Sequence, residues 1–74
     1  MPKPTEQQLK NLTKAITEVA EEPVKIEFID DAYWMFGSEI ACLRLEHHYY
    51  DTTRARASYS LNLKTWYFKL EVGS

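Results

Sequence analysis

Along residues 5–22 the apolar positions fall at Leu9, Leu12, Ile16, Val19 and Ala20. Steps of three and four place them in one stripe of an α-helix. Thr5 precedes the stripe and Gln8 follows it by three residues, the spacing of a capping box. Glu6 and Lys10 are spaced as a favourable i,i+4 pair. Pro23 blocks continuation and ends the helix near Glu22. The polar side of this helix mixes both charge signs, which favours a core-facing role over a membrane-surface one.

After Pro23 the period changes from helical to two. Val24, Ile26 and Phe28 alternate with Lys25 and Glu27 as a half-buried strand. Asp30-Asp31 reads as a turn, and Ala32 to Phe36 as a second strand. Gly37-Ser38-Glu39 reads as a three-residue hairpin loop. A third, long strand is expected from about Ile40 to Tyr50, a turn at Asp51-Thr52-Thr53, and a fourth strand from Arg54 to Leu61. Asn62 to Thr65 reads as a loop and Trp66 to Val72 as the last strand. Short connections favour antiparallel neighbours. The expected fold is α+β: one N-terminal amphipathic helix followed by an antiparallel meander sheet of about four to five strands.

Turn lengths predict registers. The first hairpin sets Phe28 opposite Tyr33 and Ile26 opposite Met35. The three-residue loop sets Met35 opposite Ala41 and Tyr33 opposite Leu43. Folding about Thr52 sets Leu43, Leu45, His47 and Tyr49 opposite Leu61, Tyr59, Ala57 and Ala55. The last turn then sets Leu61 opposite Trp66, Tyr59 opposite Phe68, Ala57 opposite Leu70 and Ala55 opposite Val72. These pairs make one inner face, with His47 as a core histidine. The outer face divides into an apolar half (Ile29, Trp34, Phe36, Ile40, Cys42) and a polar half (Glu46, His48, Tyr50, Arg54, Arg56, Ser58, Lys69, Glu71).

The bulk numbers narrow the setting. Seventy-four residues with 45% apolar and 27% charged composition make one domain, residues 1–74. With 9 basic against 11 acidic residues, the net charge of −2 argues against a general phosphate-backbone binder. No apolar run reaches the ~18 residues of a membrane span, and the first residues lack a signal-peptide core, so a cytoplasmic setting is expected. One cysteine, Cys42, excludes an internal disulfide and a Cys-rich zinc site. No cofactor motif is present.

A single helix covers only ~10 Å of a five-stranded sheet roughly 20–25 Å wide. The apolar outer cluster Ile29, Trp34, Phe36, Ile40 and Cys42 is therefore expected to bury itself against a second copy or a protein partner. The chain reads first as a non-enzymatic interaction module, a homodimer or a protein-binding domain. The alternative is a nucleic-acid-binding or ribonuclease-like module on the Glu46, His48, Tyr50, Arg54 and Arg56 face, with Tyr67 as a further aromatic. There a carboxylate and an imidazole would move protons while arginine met phosphorane charge. Cross-strand charge pairing accounts for the same residues without chemistry. His47 and His48 would point to opposite faces of a strand and so fail to chelate one metal ion.

Overall fold

The computed structural model describes residues 4–71. The elements run α1 (Glu6–Ala20), β1 (Lys25–Ile29), β2 (Ala32–Gly37), α2 (Glu39–Thr53), β3 (Ala57–Ser60) and β4 (Thr65–Glu71). The strands form one antiparallel sheet in the order β1-β2-β4-β3. The fold is α+β, with two helices and four strands among the described residues.

α1 begins as its residues dictate. Thr5 Oγ1 accepts from the Gln8 backbone N–H at 3.1 Å, and Gln8 Oε1 accepts from the Thr5 N–H at 2.8 Å. The helix stops at Ala20, where Glu21 turns left-handed (φ 61°) and its N–H closes on the Thr17 carbonyl at 2.8 Å. From the expected stripe, Ile16 and Ala20 are fully buried, and Leu12 and Val19 pack at the core's edge. The β1–β2 hairpin turns on Asp30 and Asp31, both at positive φ (51° and 59°), which suits the right-handed twist of its strands. Ile26 pairs with Met35 and Phe28 with Tyr33, as the turn length predicts.

The stretch from Ile40 to Tyr50 departs from expectation: it is the body of helix α2, not a third strand. Ser38 is an N-cap rather than a hairpin residue. Its Oγ accepts from the Ala41 N–H at 3.1 Å and donates to Glu22 Oε1 at 2.6 Å. Ala41, Cys42, Leu45 and Tyr49 repeat at helical spacing and face the core. Glu, Ala, Leu and Arg in this stretch are strong helix formers. Ala41, Leu43, Leu45 and Tyr49 also alternate at period two, so the pattern alone is compatible with a strand. Three corrections follow. The fold is not a lone N-terminal helix before a meander, because α2 follows β2, and β2 has β4 and not the next strand, β3, as its second partner beside β1. Met35 and Tyr33 face Phe68 and Leu70 instead of Ala41 and Leu43. His47, expected inside, is exposed on α2.

The last hairpin keeps its expected faces but slips by two residues. Ala57 pairs with Phe68 and Tyr59 with Trp66, leaving Leu61 to Lys64 as the loop, with Lys64 at φ 54°. The expected Ala55–Val72 pair reaches outside the described residues.

Both helices pack on one side of the sheet. The core joins Ile16 and Ala20 of α1, Ala41, Cys42 and Leu45 of α2, and Met35 and Phe68 of the two central strands. Arg44 ties the helices together: Nη1 donates to the Ala20 carbonyl at 3.0 Å, and Nε lies 3.7 Å from Glu21. A cation thus meets the carbonyl-rich C-terminal end of α1.

Candidate functional site

The strand registers place Ile26, Phe28, Tyr33, Met35, Ala57, Trp66, Phe68 and Leu70 toward the helices. The alternate residues, Lys25, Glu27, Ile29, Trp34, Phe36, Ser58, Tyr67, Lys69 and Glu71, occupy the opposite face. No helix among the described residues lies over that face. At its centre Phe36 pairs with Tyr67 and Trp34 with Lys69 across the two middle strands. Trp34 and Tyr67 are 5.1 Å apart between centroids, and Trp34 stacks on Phe36 at 6.3 Å and 15°. The Lys69 ammonium sits 4.9 Å over the Trp34 ring. The three rings are half-buried by one another, and Trp34 Nε1 is shielded from solvent without an acceptor.

The five residues expected as one apolar cluster separate. Ile29, Trp34 and Phe36 lie on the helix-free face. Ile40 is 58% exposed on the first turn of α2. Cys42 is fully buried in the core, so it offers no surface to a partner. Desolvation pushes its thiol up to about 11, with the Gly37 backbone acting in the opposite direction. Tyr67, which the sequence places only with the nucleic-acid alternative, completes the ring cluster. Its alternation with Trp66 and Phe68 already gave its face; its neighbours depended on the β2–β4 pairing.

The polar set also divides. On a helix, Glu46 and Tyr50 share one side and His48 turns about 200° away. A strand register with His47 opposite Ala57 would have set His48 opposite Arg56; on the helix His48 instead packs edge-on against Tyr49 at 4.7 Å. Glu46 Oε1 accepts from the Ala57 N–H at 2.7 Å and so anchors the start of β3 to α2. Arg54, the left-handed C-cap of α2, and Arg56 both lie over the Tyr50 ring, at 5.3 and 5.8 Å. Hydrogen bonding from Arg54, then from Arg56, lowers the Tyr50 phenol below its ordinary range.

An open cleft of about 550 Å³ joins the two regions. Its lining includes Arg54, Arg56, Ser58, Tyr67, Lys69 and Glu71. Three cations face one carboxylate, and Glu71 is 3.5 Å from Lys69. Tyr67 therefore belongs both to the ring cluster and to a positively charged margin. Among the described residues, no group of three His, Cys, Asp or Glu side chains is arranged to hold a metal ion. No helix there is long and apolar enough to cross a membrane. Comparison with protein families, curated proteins and solved structures finds no match to this chain.

Proposed function

We propose that the chain is a small non-enzymatic interaction module that works through the helix-free face of its sheet. The observation that carries this reading is the cluster of Trp34, Phe36 and Tyr67 on a face that neither helix covers. A contiguous aromatic patch at the centre of a sheet is costly to leave in water and characteristic of a binding surface. Taken without the charges beside them, the apolar rings and Ile29 would accept a second copy or another protein. Nucleic acid is the second reading, supported by the cations of the adjoining cleft. The polar groups give little support to catalysis. Glu46 is engaged by a backbone amide, and His48 lies on the other side of its helix.

The surface is tested by acrylamide quenching of Trp34 in a Trp66→Phe background, combined with sedimentation across concentration. The expected result is a Trp34 that quencher reaches in part in the dilute monomer, over the ring surface its neighbours leave open, and that is fully protected on complex formation. A Trp34 inaccessible to quencher in a strict monomer would overturn the reading.

A further inference from the structure

Resting on that reading of the face, we infer that its occupant is a single-stranded nucleic acid. Bases stack on Trp34, Phe36 and Tyr67, and the phosphates run along Arg54, Arg56 and Lys69. Two observations converge on this occupant.

The first is the ring arrangement. Aromatic rings on the two central strands of an open sheet make a platform for unpaired bases, whose π-faces all stack alike. Trp34 and Tyr67 lie side by side at 5.1 Å, with Phe36 next along β2. The second is charge. The chain carries −2 overall, yet the cleft beside Tyr67 presents Arg54, Arg56 and Lys69 against Glu71 alone. Local charge opposite in sign to the whole suits a polyanion, whereas a two-fold dimer through this margin would set the same cations against one another. Lys69 links the two regions. It rests over the Trp34 ring and 3.5 Å from Glu71, an exposed pair that is easily exchanged for a phosphate when a base takes the ring.

The experiment is fluorescence anisotropy with labelled 12-mers of U and of dT, over a range of salt, using the full chain. Binding is expected to both, with a log–log salt slope of about −2 for three cations on a single strand. A duplex of equal length should bind more weakly, since its bases are not free to stack. Trp34→Ala and Tyr67→Ala should each weaken binding roughly tenfold without changing the salt slope. Trp34→Phe, which keeps a ring, should restore most of it. The Arg54→Gln/Arg56→Gln double variant should flatten the slope by about 1.4. Far-UV circular dichroism confirms that each variant is folded.

Equal binding of duplex, or indifference to the Trp34 and Tyr67 changes, would reduce the contact to simple charge attraction and overturn the proposal. Failure of both oligonucleotides to bind at low salt, with reversible dimers that protect Trp34, would assign the face to a second copy; the nucleic-acid proposal would fall and the working face would stand. No binding, together with a shielded Trp34 in a monomer, would remove both.

Discussion

Phe36 and Phe68 offer the same side chain on opposite faces of one sheet, so truncating each measures what lies above it. Phe68 is fully buried, pairs across the sheet with Met35 and Ala57, and stacks on Tyr49 of α2 at 6.1 Å. Phe68→Ala leaves a cavity between α2 and the central strands, which costs about 3–5 kcal/mol. A 74-residue chain holds roughly 4–11 kcal/mol in total, so this one change removes from about a quarter to all of it. Phe36 is half-buried and loses mainly its stack on Trp34. Phe36→Ala should cost about 1 kcal/mol. Urea unfolding followed by circular dichroism separates them. With a slope near 1 kcal/mol per molar urea, the Phe36→Ala midpoint falls by about 1 M. Phe68→Ala falls by about 3 M or is unfolded in buffer. Equal losses in a chain shown to be monomeric would mean that the outer face is packed from within the same molecule, and the argument for a free binding face would fail.

Ser38→Ala removes the acceptor for the Ala41 N–H and the donor to Glu22. It should cost about 1 kcal/mol and lower Tm by about 4–8 °C, measured by thermal melting; an unchanged Tm would remove Ser38 from the cap of α2. Cys42 should react with a disulfide reagent at pH 8 only as fast as the chain opens, and rapidly in urea, because its thiol is buried. Its folded pKa of about 11 lies above the unperturbed thiol value of 9.0. The stability linked to this thiol is therefore whole below about pH 9 and is lost as pH rises toward 11. Urea midpoints taken between pH 8 and 11 test the sign, and a midpoint that rises over that range would contradict it.

Part of this protein is written locally. α1 with its Thr5–Gln8 box, the Asp30-Asp31 hairpin and the alternation of β4 each depend on residues a few positions apart, whose capping, turn and period preferences act without the rest of the chain. The face assignment of Trp34, Phe36 and Tyr67 follows from the same alternation. Residues 39–53 carry two readings, because Ala41, Leu43, Leu45 and Tyr49 alternate at period two while Ala41, Cys42, Leu45 and Tyr49 repeat at helical spacing. The Ser38 cap and a sheet ready to receive Cys42 and Leu45 select the helix. That choice is tertiary, since it needs β2 beside β4, two strands separated by more than twenty residues. The same pairing brings Trp34 to Tyr67 and Lys69, and the end of α2 brings Arg54 and Arg56 to the margin of that face. Alternation states which side a residue takes, but burial against a distant strand decides its neighbours.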